Sequence, residues 1–303
     1  MTPVPTTPAP TPLLSQPAAP AARITLTRLT EMKAQAEPIV MVTAYDHPGA
    51  RLAERAGADM LLVGDSGAQV VLGYDATVRV SVDEMITLSA AVRRGADRAL
   101  VVCDLPFGST EASDAQAVET AVRFVREAGA DAVKLEGGNP DRASRIRAIV
   151  AAGIPVVGHV GLTPQTATQL GGLRAQGRTA ESARRVVTDA LAVQAAGASA
   201  LVIEAVPSEV VAAVLPRLEI PVIGIGAGPA DGQVLVLHDL LGITEGRQAR
   251  FVKRFAELGD AVVGGIEAYA AEVRSGAFPA PEHQYPASPE AVRAALEAAA
   301  SVS

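Results

Sequence analysis

Four times along the chain a Gly-Ala-Asp or Gly-Ala-Ser tripeptide closes an amphipathic stretch and opens an apolar run: Gly57-Ala58-Asp59, Gly95-Ala96-Asp97, Gly129-Ala130-Asp131 and Gly197-Ala198-Ser199. Glycine suits the left-handed cap that ends a helix, so each tripeptide reads as a helix-to-strand junction. Each apolar run then finishes at an acid: Asp65, Asp104, Glu136 and Glu204 in turn. Short β-branched runs alternating with amphipathic stretches are the pattern of βα units, and a parallel sheet follows from them. Strands are expected over residues 39–46, 60–66, 99–105, 132–137, 155–160, 200–206, 221–225 and 233–238. Eight such runs point to an α/β fold of the (β/α)8 TIM-barrel kind. An open doubly wound sheet is the alternative, but the chain lacks a dinucleotide fingerprint. The string Gly224-Ile225-Gly226-Ala227-Gly228 has the wrong spacing for one and comes late. It reads either as a tight turn after the seventh strand or as a close backbone approach to a ligand.

In a βα barrel the C-terminal strand ends form the active-site mouth, so four carboxylates converge on one rim. Asp65, Asp104 and Glu136 offer hard oxygen ligands without His or Cys companions at zinc-like spacing, which suits Mg2+. Each could instead cap the helix that follows it. Lys134 and Glu136 are two apart on one strand and project to the same face. A buried lysine there could hold a substrate carboxylate or a developing enolate, or form a structural ion pair with a barrel acid. Glu204 at the sixth strand end could act as general base toward a carbon acid, or cap a helix. His159, near the end of the fifth strand, is a candidate substrate donor or a core histidine. Ser66 could contact a bound carboxylate, or serve as a turn or capping serine. Tyr45-Asp46-His47 and His238-Asp239 are further polar strand ends, read as supporting or capping residues.

Composition narrows the class of function. With 303 residues and 49% apolar content the chain can bury a large single domain. A net charge of -7 argues against an extended nucleic-acid footprint. Cys103 is the only cysteine, so neither an internal disulfide nor a multi-thiolate zinc site is possible, as fits a reducing, cytoplasmic setting. No apolar run reaches the roughly 18 to 20 residues of a membrane span, and the start lacks the order of a secretory signal. The sequence divides into a disordered Pro/Ala/Thr-rich extension (1–22), a catalytic barrel domain (23–286) and an Ala-rich C-terminal helix and tail (287–303).

Several strings are recognisable as such: Val63-Gly64-Asp65-Ser66, Leu72-Gly73-Tyr74-Asp75, Asp104-Leu105-Pro106-Phe107, Val133-Lys134-Leu135-Glu136-Gly137-Gly138 and Gly158-His159-Val160-Gly161-Leu162-Thr163-Pro164-Gln165. Together with residues 221–228 they resemble the ketopantoate hydroxymethyltransferases, in order from about Ile24 to about Tyr285. The resemblance implies transfer of a hydroxymethyl group from 5,10-methylenetetrahydrofolate to 3-methyl-2-oxobutanoate, giving 2-dehydropantoate and tetrahydrofolate in pantothenate synthesis. By the same resemblance Asp65, Asp104 and Glu136 correspond to the Mg2+-associated acids, and Ser66 and Lys134 to substrate contacts; with Asp65, Asp104 and the candidate donor His159 they make up the expected substrate site. Glu204 corresponds to the catalytic base that forms a Mg-stabilised enolate, and the assembly to a homo-oligomer, commonly a decamer. Gly67-Ala68-Gln69 stands where many relatives would carry Leu-Gly-Met, which bears on the loop beside the substrate and not on the metal acid.

Three rivals remain at this point. One is a Mg2+-dependent lyase or mutase of the phosphoenolpyruvate and isocitrate lyase type on the same barrel. Against it, Cys103 lies inside an apolar run and reads as a buried small hydrophobe. Another is a phosphate-binding barrel enzyme using the 224–228 turn, which leaves the acids unexplained. The third is a non-catalytic scaffold, which leaves Lys134 beside Glu136 unexplained.

Overall fold

Strands rich in Val, Ile and Leu can bury both faces only when helices cover the sheet on its outer side and something fills its inner side. The computed structural model describes residues 22–246 and 248–301, and among these residues eight parallel strands close into a barrel in sequential order. They are β1 (Ile39–Thr43), β2 (Met60–Val63), β3 (Leu100–Asp104), β4 (Ala132–Glu136), β5 (Val156–Gly161), β6 (Ala200–Glu204), β7 (Val222–Ile225) and β8 (Gly232–Leu235). The helices are α1 (Leu26–Ala34), α2 (His47–Arg55), α3 (Gly67–Val70), α4 (Val82–Gly95), α5 (Asp114–Arg123), α6 (Pro140–Ala151), α7 (Ala180–Ala195), α8 (Ser208–Val214), α9 (Leu237–Leu240), α10 (Leu258–Ser275) and α11 (Pro289–Ala300). All eight expected strands are present; β1, β2, β3, β4, β6 and β8 end before the expected boundary, β7 ends at it and β5 runs one residue beyond it.

Two apolar layers follow from the period of two along each strand. Outward residues such as Val101, Cys103, Val133, Leu135 and Leu201 pack against the helices. Inward residues Met41, Met60, Leu62, Leu100, Val102, Ala132, Val157, Ala200, Val202, Ile223 and Val234 fill the barrel. Ile24 with Leu29 and Met32 of α1 joins this inner cluster, so α1 plugs the N-terminal end of the barrel. Polar chemistry is thereby left to the opposite mouth. Cys103 faces the helices, as expected of a small buried hydrophobe.

The Gly-Ala junctions divide into two kinds. Gly57, Gly129 and Gly197 adopt left-handed φ of 95°, 71° and 92°. Gly95 does not. It ends α4, and a Cβ there would lie 2.5 Å from the His47 carbonyl oxygen and 2.9 Å from the Ala50 Cβ. Its role is close helix packing of α4 on α2, not the cap that the repeat suggested.

The described residues form two compact units, one of residues 22–237 with 249–252 and the other of 238–246, 248 and 253–301. All eight strands lie in the first unit. Helices α10 and α11 belong to the second unit, and α11 realises the expected C-terminal helix. The N-terminal extension lies outside the described residues except for its last position. Among the described residues no helix is long and apolar enough to cross a membrane.

Helix propensity alone would make alanine better than glycine at position 95 by ~1 kcal/mol. The overlap with His47 and Ala50 costs more, about 1–3 kcal/mol for forced overpacking. Gly95→Ala is therefore expected to lower the midpoint of urea unfolding; a raised midpoint would show that α2 and α4 separate at little cost.

Candidate active site

The mouth is built by strand parity. In β4 the residues Ala132, Lys134 and Glu136 share the inner face, and β3 places Asp104 beside Lys134 in register. β5 places His159 beside Glu136, and β6 brings Glu204 to the same rim. Asp65 lies two residues past the end of β2, where parity no longer applies. The turn through Gly64 brings it in, with its backbone N–H donating to Asp104 Oδ2 at 2.9 Å.

The strand-end acids do not cap helices. Ser113 caps α5, Asn139 caps α6, and α3 and α8 begin at Ser66 and Pro207 without a side-chain cap. With capping assigned to other residues, the acids are left facing one another. Asp46, by contrast, caps α2 by accepting from the Gly49 N–H at 2.6 Å, which bears out the capping reading of that residue.

Lys134 is the centre of the cluster. Its Nζ lies 3.0 Å from Asp104 Oδ1 and 4.0 Å from Glu136 Oε1, with side chains only 3–5% exposed. His159 Nδ1 is 3.2 Å from Glu136 Oε1, and Nε2 is 3.2 Å from Glu204 Oε2. The histidine thus bridges two carboxylates on strands either side of its own. Ser66 Oγ pairs with the buried Tyr45 hydroxyl at 2.9 Å.

Burial raises the Asp65 pKa and the Asp104 and Glu136 charges raise it further, while Lys134 and Gln165 oppose them; it is pushed up to about 7. Burial also raises Asp104, against the pull of Lys134 and the Asp65 amide. Glu136 is held below its ordinary value: burial opposes this, but His159, Lys134 and the Gln165 amide outweigh it. For Lys134, burial favours the neutral amine and the surrounding carboxylates win, raising its pKa. For His159, burial and Lys134 push down, yet contact with Glu136 and Glu204 raises it to about 9.

Two further residues hold this arrangement, and to Gln165 the sequence reading assigned no role. Gln165 donates from Nε2 to Asp65 Oδ2 at 2.9 Å and to the Leu105 carbonyl at 3.0 Å, and its backbone N–H donates to Glu136 Oε2 at 3.0 Å. Tyr45, taken from sequence as a supporting residue, fixes Ser66. Ala205, next to Glu204, adopts φ of 49°, a left-handed conformation held by hydrogen bonds from its N–H to Ile225 and from Gln176 to its carbonyl. The 224–228 segment is a tight turn with left-handed Gly226 and Gly228. His238 and Asp239 fall in α9, past the end of the barrel unit.

All the predicted site residues in the strand-end set meet at this mouth. Among the described residues, however, no group of three or more His, Cys, Asp or Glu side chains is gathered closely enough to hold an ion as it stands. The Lys134 ammonium between Asp104 and Glu136 accounts for this: the acids surround a cation of the protein's own. An all-oxygen donor set at Asp65 and Asp104 still fits magnesium, which binds through one or two carboxylates and takes its remaining ligands from water and substrate. With Asp65 ionised, four carboxylates stand against Lys134 and a protonated His159 and leave an excess of two negative charges; while Asp65 holds its proton the excess is one, so a divalent cation matches the cluster once that proton is released.

Stability should follow the same signs. Asp65 binds its proton up to about pH 7 in the folded chain, so the folded state loses stability as pH rises from the ordinary aspartate value toward 7. His159 contributes stability that is complete below its ordinary pKa of 6.5 and lost as pH rises through about 9. In EDTA at pH 8, Asp65→Asn is expected to raise the melting temperature, because it removes a buried like charge. A lower melting temperature would mean that the Asp65 carboxylate is a net stabiliser of the metal-free barrel.

The fold and the sequence both have counterparts. Among solved structures, the chain superimposes on phosphoenolpyruvate phosphomutase from Streptomyces platensis subsp. rosaceus with a TM-score of 0.57 at 17% identity, covering 86% of this chain and 92% of that one. Phosphonopyruvate hydrolase in complex with oxalate and Mg2+ gives 0.56 at 15%, covering 85% and 92%. 2,3-Dimethylmalate lyase, a member of the PEP mutase/isocitrate lyase superfamily, gives 0.53 at 18%, covering 90% and 98%. At such identities the likeness is one of fold. Sequence relatives are much nearer. The 3-methyl-2-oxobutanoate hydroxymethyltransferase of Moorella thermoacetica is 53% identical over 264 residues, 87% of this chain and 98% of its own. That of Saccharopolyspora erythraea is 54% identical over 264 residues, 87% and 89%. The family model for ketopantoate hydroxymethyltransferase matches residues 23–281, the span that carries every strand-end acid and Lys134, and the chain belongs to that family of enzymes.

Proposed function

We propose that the mouth catalyses hydroxymethyl transfer from 5,10-methylenetetrahydrofolate to 3-methyl-2-oxobutanoate, giving 2-dehydropantoate and tetrahydrofolate for pantothenate synthesis. The observation that carries this reading is the separation of two charged zones at one rim. Asp65 and Asp104 lie beside Lys134, while Glu204 stands on β6 across His159.

Mg2+ held by Asp65 and Asp104, with Glu136 beside them, would polarise the keto group of the 2-oxo acid. Ser66, its hydroxyl oriented by Tyr45, is placed to donate to the substrate carboxylate. Glu204 takes the C3 proton, and the C–H electron pair moves into the C2–C3 bond as charge builds on the C2 oxygen. Lys134, kept charged by its acids, stabilises that oxygen. His159, against Glu204 Oε2, steadies the carboxylate and can share its proton. The C3 carbon then bonds to the folate methylene carbon as one of that carbon's two C–N bonds breaks; water replaces the second folate nitrogen and supplies the hydroxyl oxygen, and the C3 proton and one proton of the water end on the two released nitrogens.

The same reading includes a homo-oligomer and a cytoplasmic setting. Parallel barrels are normally covered on their outer face, yet β1 presents Val40 at 48% exposure, and α10 leaves Val262, Ile266 and Tyr269 exposed. Apolar surface of this extent is what a second copy would cover.

Loss of deuterium from C3 of labelled 3-methyl-2-oxobutanoate tests the chemistry directly. Exchange is expected in Mg2+, to vanish in EDTA, and to fall about 10²- to 10⁴-fold in Glu204→Gln. Folate addition should then give 2-dehydropantoate. If the metal-replete wild type shows neither exchange nor product, the assignment is wrong, and metal-dependent exchange with no 2-dehydropantoate on folate addition would favour a lyase on this barrel.

A further inference from the structure

The loop that follows β5 touches the strand end of every acid in the cluster. On one side Leu162 N–H donates to the Glu204 carbonyl at 2.9 Å, and Gln176 N–H to the Ala205 carbonyl at 2.9 Å. On the other side Gln165, 9% exposed, reaches Asp65, Leu105 and Glu136. No other loop is needed to connect β2, β3, β4 and β6.

The chemistry of the amide makes this contact directional. A carboxamide nitrogen has two hydrogens and no acceptor capacity, whereas the Leu105 carbonyl is an acceptor only, as is the Asp65 carboxylate once ionised. Both hydrogens are therefore committed, and the nitrogen, not the oxygen, must face Asp65. With Oδ2 occupied, one oxygen of Asp65 remains for another partner. The backbone N–H meanwhile takes up Glu136 Oε2, so the residue constrains two acids through separate groups.

We propose that Gln165 is the positioning residue for the divalent cation: it holds one oxygen of Asp65 and leaves the other to bind the ion, and it anchors the β5 loop over the site as it does so. This rests on the magnesium reading above. Partners that orient a ligating carboxylate typically contribute about 10- to 100-fold to metal affinity. Gln165 touches neither substrate nor reacting atoms on this account, and its effect passes through Asp65.

The test is Mn2+ binding to the full-length chain without substrate, followed by electron paramagnetic resonance, for the wild type, Gln165→Met and Gln165→Ala. Methionine keeps the length and loses the donors, and both variants keep the backbone contact to Glu136. Each folded variant is expected to bind Mn2+ about 10- to 100-fold more weakly. The Mg2+ concentration for half-maximal turnover should rise by a similar factor, with kcat at saturating Mg2+ changed far less. Wild-type Mn2+ affinity in either folded variant overturns the proposal, as does a loss of kcat that added Mg2+ does not restore. A wild type that makes product but binds no Mn2+ overturns the magnesium reading itself, and the proposal with it.

Discussion

Lys134 is buried at the mouth of a parallel barrel with Asp104 at 3.0 Å and Glu136 at 4.0 Å, and the rest of the site is arranged around the cost of that burial. An isolated ammonium taken out of water would shed its proton; here the carboxylates keep it charged. Yet the acids outnumber it. His159 answers part of the excess by holding its proton between Glu136 and Glu204, and Asp65 answers another part by holding on to its own. The cluster is therefore short of positive charge in a place that water reaches poorly, which is the condition under which a divalent ion and an anionic substrate bind together.

A barrel can tolerate such a cluster because the two ends of its interior do different work. Toward the N-terminal end the inner face is apolar and closed by Leu29 and Met32 of α1. Toward the C-terminal end the same strand faces carry Asp104, Lys134, Glu136, His159 and Glu204. Helix starts that might have consumed these acids are satisfied by Ser113 and Asn139 instead. Stability and reactivity thus share strands without sharing residues, and charge at the mouth can change without emptying the core.

Much of this was legible from the chain. Apolar runs with acids at their ends identify both the barrel and its reactive rim, since strand parity carries side chains to a known face; Lys134 and Glu136 are the clearest case. Parity fails where a strand has already ended. Asp65 reaches the cluster only through the turn at Gly64. Gln165 is a hundred residues away from Asp65, in a loop with no period at all, so nothing local announces their contact. Gly95 misleads for the opposite reason: it shares a motif with three cap glycines, but the packing of α4 on α2 decides its role. The division near residue 237 was also hidden, because α10 has the amphipathic look of one more barrel helix.

The comparison with distant structures sharpens what these residues mean. Proteins at 15–18% identity share the barrel with this chain, so the frame alone does not choose the reaction. Choice must lie in groups that the frame displays but does not require. Glu204 is such a group: β6 would pair with β5 and β7 through its backbone whatever side chain stood there. Its coupling to the rest of the mouth runs through His159, and the left-handed Ala205 beside it is held by a hydrogen bond donated to β7 and one accepted from the β5 loop. On the reaction proposed above, a carboxylate fixed in this way, on the far side of a histidine from the lysine and the paired aspartates, would separate the group that removes a proton from the groups that stabilise the charge left behind.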